Sequence, residues 1–304
     1  MNGVILINKE KDFTSFDVVA VVRKLIGQKK VGHTGTLDPN ATGVLPVLLG
    51  SATRAQDILP NHDKRYTACF KFGVATDTLD IWGEVLEEKP ANVTTEELEK
   101  ALCAFRGEIE QLPPMYSAVS VDGKRLYQYA REGKEVERRP RTVTVYSLEL
   151  LSFDEAAQSG TLDIYCSNGT YIRTIIDDLA RSLGTVGVMT DLVRIEACGF
   201  RLEDCITLDA LKEMIEGGEF AVGDDTPMTY YYRNVETLFA EYDELVVSEK
   251  QAHRFINGNP LDIVRTALRD GAEDKKIYRV KDREGNFLSL GIVDKDVLKM
   301  YKHF

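Results

Sequence analysis

The chain has 304 residues, 43% of them hydrophobic, enough for one large domain or a domain with a small appendage. Lysine and arginine number 38 against 49 aspartate and glutamate, a net charge of −11, which excludes a uniformly basic surface but leaves room for a local phosphate-binding patch. Cys69, Cys103, Cys166, Cys198 and Cys205 are scattered with no CxxC pair, and no stretch approaches the ~18 apolar residues of a membrane span, so the reading is a soluble cytoplasmic protein with free thiols and no zinc site.

In chain order, GVILINK (3–9) reads as a buried strand. Thr14 with Asp17 caps a helix in which Val18, Val19, Val22, Leu25 and Ile26 recur at helical spacing. VGHTGTLDPNATG (31–43) lacks periodicity and, with three glycines and a proline, reads as a loop; an apolar VLPVLLG and a helix-like run at 52–59 follow. KRYTACFKFGV (64–74) alternates, placing Tyr66, Ala68, Phe70, Phe72 and Val74 on one face of a strand. Thr94 and Glu97 form a capping box ahead of an amphipathic helix with Leu98, Ala101, Leu102 and Phe105. Residues 113–142 are loop-like and basic. TVTVYSLELLSF (142–153) and TLDIYC (161–166) read as strands, NGT (168–170) as a turn, and YIRTIIDDLARSLG as a helix stopped by Gly184. Thr207 caps a further helix through Met214 and Ile215. The pattern lapses at 217–234, a linker, and short strands with a capping box at Ser248–Gln251 and a hairpin turning at Asp282–Gly285 complete a small β-rich unit. The class is α+β.

The 31–43 loop carries the most chemistry. Pro39 pushes Asp38 out of the α region, and Gly35 and Gly43 let the main chain approach a ligand closely, so a carboxylate is displayed on a stiffened turn. An ordinary Asp-Pro turn has the same composition. No GxxxxGK[ST] occurs, which disfavours a P-loop.

GHTGTLDPNATGVLP (32–46) resembles the signature loop of TruB-family pseudouridine synthases. DKRYTA (63–68), GVATDTLD (73–80), FRGEIEQLPPMYSAVSVDGKRLYQYAREG (105–133) and CSNGTYIRTIIDDLA (166–180) resemble the family's successive motifs in order, covering roughly residues 1–200. The resemblance implies a catalytic domain at 1–234 with a central mixed sheet, an RNA-binding thumb at about 113–142 and a small PUA-like domain at 240–304. It implies that Asp38 is the catalytic aspartate, that Tyr66 stacks on the target uracil and assists proton removal, and that Arg173 pairs with the carboxylate. His33, Tyr171 and Leu192 take further places in the uridine pocket. The substrate implied is the uridine at position 55 in the T arm of tRNA, handled without cofactor or metal by a monomer. The chemistry suits these residue types. A free aspartate, with a pKa near ~3.9, is anionic at neutral pH and needs no activating base. Extruding a base from its stack costs a few kcal/mol, of which stacking on an aromatic ring returns roughly 1–3.

RNA contacts are expected at Lys64 and Arg65, which precede Tyr66, and at Lys124, Arg125 and Arg141. Between 120 and 141 seven basic residues face four acidic ones, a local net of +3, with Tyr127 and Tyr129 interleaved. The alternative for any single lysine there is a solvated charged face. Three positions depart from the family pattern. Val188 stands where a histidine is common, Val193-Arg194 where two arginines are, and Ile81-Trp82 where small or acidic residues are usual. Trp82 reads equally as a lid aromatic or as packing. Beside the enzyme stands a second function, a tRNA-folding RNA-binding module acting without turnover. A carboxylate-based hydrolase or phosphotransferase ranks last for want of a metal cluster or phosphate loop.

Overall fold

Eight strands form the spine of one large sheet, in the order Tyr232–Arg233, Gly3–Lys9, Thr42–Leu49, Gly187–Ala197, Lys64–Phe72, Ser159–Cys166, Arg141–Asp154 and Gly107–Gln111. The computed structural model describes residues 1–220, 223 and 226–304. Every neighbouring pair along the spine is antiparallel except one. Thr42–Leu49 and Gly187–Ala197 run parallel and meet over two residue pairs only, Thr42 with Val193 and Gly43 with Arg194. This short seam joins two differently built halves.

On one side of it, Gly3–Lys9 and Thr42–Leu49 are buried on both faces, which is why they read as unbroken apolar runs. Ile5, Ile7, Leu45 and Val47 pack under helices Ser15–Ile26 and Leu208–Glu216. Val4, Leu6, Val44 and Leu48 face the opposite way, against Val235, Leu238, Phe239 and Leu290. On the other side, strand Lys64–Phe72 alternates as the sequence indicates. Tyr66, Ala68, Phe70 and Phe72 pack with Ile172, Ile175, Ile176 and Leu179 of helix Ile172–Ser182, while the intervening residues line the opposite, more open face.

A separate five-stranded sheet in the order 243–246, 277–281, 287–294, 297–302 and 261–262 curls around helix Glu249–Ile256, so the fold is α+β with a small C-terminal β unit. It has its own core around Phe255, Val280, Val293 and Leu298. Leu290, Phe287 and Phe304 also dock on the large body beside Phe239. The capping boxes at Thr14, Thr94 and Ser248 form as read.

Four expectations need correction. The 31–43 loop shortens to 34–41, because Val31–His33 and Thr42–Leu49 pair with each other at its ends. Residues 113–142 contain a small hairpin (120–121 with 124–125) and helix Leu126–Arg131. Residues 187–197, given no element by the sequence pattern, form strand Gly187–Ala197, one side of the seam, whose polar insertions break the alternation. The 217–234 stretch is not a free linker. Phe220, Tyr231 and Tyr232 are buried in the helical core and Tyr232–Arg233 forms the sheet's edge, although 221, 222, 224 and 225 lie outside the described residues.

Gly43 makes the seam possible. Its φ is +107°, and a Cβ there would sit 2.2 Å from the carbonyl oxygen of Arg194. Positive φ alone costs an L-residue roughly 1–2 kcal/mol. Gly43→Ala is therefore expected to lose at least about 2 kcal/mol of unfolding free energy in urea titrations, whereas Gly27→Ala, also at positive φ (+67°) but in open space, loses less.

Candidate active site

The loop between Val31–His33 and Thr42–Leu49 hangs over the seam and is tied down along its length. Arg194, fully buried, donates from Nε to the Val44 carbonyl (2.8 Å) and from its two terminal nitrogens to Thr36 O (3.3 Å) and Gly35 O (3.2 Å). Ser15, at the start of its helix, brackets Leu37 by accepting from its amide (2.8 Å) and donating to its carbonyl (3.2 Å). Asp38 to Ala41 close a β-turn, Ala41 N–H to Asp38 O at 3.1 Å, with Pro39 at its favoured second position. The Pro39 carbonyl in turn accepts from Lys9 Nζ (2.9 Å) and the Asp12 amide (3.1 Å). Pro46, opposite Leu6 in the ladder, carries no N–H, and its carbonyl accepts from the Thr34 amide (3.2 Å).

So held, Asp38 meets Arg173. Arg173 Nε lies 3.0 Å from Asp38 Oδ2, and its Nη1 lies 3.7 Å from Asp80 Oδ2. The remaining donors go to Thr78 O (2.8 Å) and Tyr116 O (3.0 Å). The guanidinium is buried, shared between two carboxylates and braced by carbonyls from two other segments, an arrangement that offsets its desolvation. Burial raises the Asp80 carboxyl's pKa, against hydrogen bonds from Thr78 and the charge of Arg173. Gln111 fixes the approach to this helix by bonding both sides of Tyr171, at 2.7 and 3.0 Å.

Asp38, Tyr66, Tyr171, Arg173 and Leu192 line one cavity of about 180 Å³, with Lys64, Ser117 and Asn168. That is below the ~300–1,000 Å³ of drug-sized sites and suits one flat ring. Tyr66 is 7% exposed, and burial pushes its phenol up to about 12, so it is protonated at neutral pH. His33 is not among the lining residues. It sits half-buried in its strand with Nδ1 unpartnered, and burial together with the Arg194 charge lowers its pKa, keeping the imidazole neutral.

The basic residues divide. Lys64 is buried in the cavity wall, its ammonium bonded to Asn168 Oδ1 (2.9 Å) and the His62 carbonyl, so it addresses the cavity and not the outer surface. Arg65 points to the other face of the strand and pairs with Asp163 at 2.8 Å. Lys124 is paired with Glu132 and lies 4.7 Å over the Tyr129 ring; Arg125 donates to the Ala118 carbonyl at the cavity rim. Arg141 is exposed at the start of its strand.

Sequence reasoning missed Arg194, Lys9, Ser15 and Asp80. Arg194 was visible only as a departure, yet its parity with Leu192 along the strand was a signal that it points inward. Val188, another of the departures, is a core residue. Among the described residues no cluster of three or more His, Cys, Asp or Glu is arranged to hold a metal, and no helix is long and apolar enough to cross a membrane.

Residues 23–172 match the family described as TruB family pseudouridylate synthase (N terminal domain). A protein named tRNA pseudouridine synthase B from Caldanaerobacter subterraneus subsp. tengcongensis is 38% identical over 305 residues, covering 100% of this chain and 99% of that protein. One of the same name from Clostridium perfringens is 40% identical over 303 residues, covering 99% and 98%. In fold, the chain resembles a protein in a structure of an H/ACA RNP bound to a substrate RNA containing 2'-deoxyuridine, with a TM-score of 0.72 and 22% identity over 99% of this chain and 84% of that one.

Lys9 offers a pH test of the loop's anchorage. Burial pushes its ammonium from 10.5 down to about 8 while it serves the carbonyls of Glu10, Phe13 and Pro39. Between those two pH values the unfolded chain binds the extra proton, so this group's contribution to stability rises with pH across the window. Urea unfolding at pH 8 and pH 10 is expected to show wild type gaining stability relative to Lys9→Met; parallel pH dependences would mean that Lys9 titrates as an ordinary lysine.

Proposed function

The chain belongs to the TruB family of pseudouridylate synthases, and from that premise we propose that it isomerises the uridine at position 55 in the T arm of tRNA, in the cytoplasm, on a base extruded into the Asp38 cavity. The observation that carries this reading is the Asp38–Arg173 ion pair at 3.0 Å inside a one-ring cavity walled by Tyr66. The reaction breaks the N1–C1′ bond, turns the uracil and forms C5–C1′, with a proton leaving C5 and one arriving at N1. Nothing in this sum calls for a redox or metal partner, and the reading takes the protein as a monomer.

The Asp38 carboxylate meets the nucleoside at its glycosidic bond. Arg173 holds that anion in place as the cavity closes and water leaves. Tyr66 offers its ring to the uracil. With its phenol near 12 it works as a neutral hydroxyl, taking the C5 proton only in concert with passing its own to solvent, from which N1 is protonated. Lys64 borders the nucleotide from the cavity wall, while His33 stands outside the lining, on the strand that leads into the Asp38 loop. Residues 113–142 form a thumb over the cavity, supported by the Arg173 bond to Tyr116 and by Ala118 in the lining. Residues 1–234 form the catalytic domain, and 240–304 a PUA-like domain with Lys124, Arg125 and Arg141 outside it on the thumb side.

Incubation with an unmodified tRNA transcript is expected to yield pseudouridine from wild type and none from Asp38→Asn, which retains RNA binding. Tight binding by wild type with no product would support the folding module instead. Arg173→Lys keeps the charge but not the fork, and should lower kcat at least 100-fold with little change in affinity, as loss of a preorganised charge contact does.

Despite the net charge of −11, RNA affinity should fall with salt at a log–log slope of about −2 or steeper, the mark of three or more phosphate contacts. A flat salt response, measured by filter binding, would contradict a basic docking patch.

A further inference from the structure

Trp82, the chain's one tryptophan, stands 45% exposed beside the site, and the mechanism above does not use it. Its display is rigid. Asp80 Oδ1 accepts from the Trp82 amide (3.2 Å) and from Thr78 Oγ1 (2.7 Å), Thr76 Oγ1 donates to Asp80 O (2.6 Å), and Ile81 N–H bonds Met189 O (2.9 Å). A Cβ on the next residue, Gly83, would lie 2.2 Å from Thr78 Oγ1, so the turn is closed as tightly as glycine permits. The same Asp80 reaches Arg173 with its other oxygen.

A cation attends the ring. Lys11 Nζ lies 5.8 Å from the Trp82 centroid and 2.9 Å from Asp191, next to Leu192 of the cavity wall. Lys11 also precedes Asp12, whose amide bonds Pro39 O beside the catalytic aspartate. Trp82 and Lys11 are therefore tied to the cavity wall, one through Asp80 and Arg173, the other through Asp191, the neighbour of Leu192. Ile81, Val85 and Leu86 on the same turn and the strand after it are exposed as well. A half-exposed ring with an ammonium over one face, held there by Asp191, fits a nucleobase stacked on the other face with the charge close to its phosphate.

We propose that Trp82 and Lys11 form a second nucleotide platform, on which a base neighbouring the extruded uridine stacks. This rests on the RNA-isomerase reading, and it makes the turn at 77–84 a contributor to substrate choice.

A single tryptophan makes the test direct. Titration with unmodified T-arm RNA should quench Trp82 fluorescence in step with binding measured on filters, and an abasic site at one flanking nucleotide should restore the signal. Trp82→Ala should raise KM roughly tenfold with kcat within twofold, Trp82→Phe should stay near wild type, and Lys11→Met should lie between. Pseudouridine formation with unquenched fluorescence at saturating RNA would overturn the platform while leaving the isomerase reading intact; no pseudouridine and no RNA binding would overturn both. Fluorescence that shifts with protein concentration in the absence of RNA would assign the patch to self-association and also overturn it.

Discussion

A buried guanidinium that has no carboxylate partner among the described residues holds this molecule's site together. Arg194 lies at the one parallel seam of the large sheet, where its backbone pairs with Gly43 and its side chain collects the carbonyls of Gly35, Thr36 and Val44. A charge in that position is costly unless hydrogen-bonded. Here the acceptors come from the loop that carries Asp38, so the need to satisfy Arg194 fixes the loop. The Asp38 carboxylate is then aimed by constraints on its backbone, with Ser15 and Lys9 adding further ties.

From this anchored loop outward, the site is a set of shared partners. Arg173 answers to Asp38 and Asp80 and to two carbonyls, one of them in the segment that overhangs the cavity. A shift in Asp80 or in residue 116 would be felt at Asp38 through one guanidinium. Tyr66 is positioned differently, by strand alternation and apolar packing, which leaves its ring as one wall and its hydroxyl protonated.

Much of this was legible in the sequence, for reasons that differ by element. Capping boxes are local, so Thr14, Thr94 and Ser248 announced their helices correctly. Strand Lys64–Phe72 has one buried face and its alternation showed. Strand Gly187–Ala197 carries Arg194 inward among apolar neighbours, so a pattern search broke on the residue that matters most. Asp38 could be singled out because proline and glycine mark its turn, but nothing local says which cation it meets. Arg173 lies 135 residues further on, and geometry alone brings the two together. The basic stretch 120–141 was readable as charge; that Lys124 spends its charge on Glu132 and Arg125 braces a carbonyl was not.

The wiring of the Asp38 loop also bears on how the chain folds. Arg194 is separated from its three acceptors by 150, 158 and 159 positions. Contacts of such separation carry the largest loop-closure entropy and form late. The helices and hairpins can assemble before the seam closes, but the carboxylate is aimed only once the two halves of the sheet have met. Activity is thus a property of the finished topology: a fragment or collapsed intermediate with near-native secondary structure would still present Asp38 on an unanchored turn.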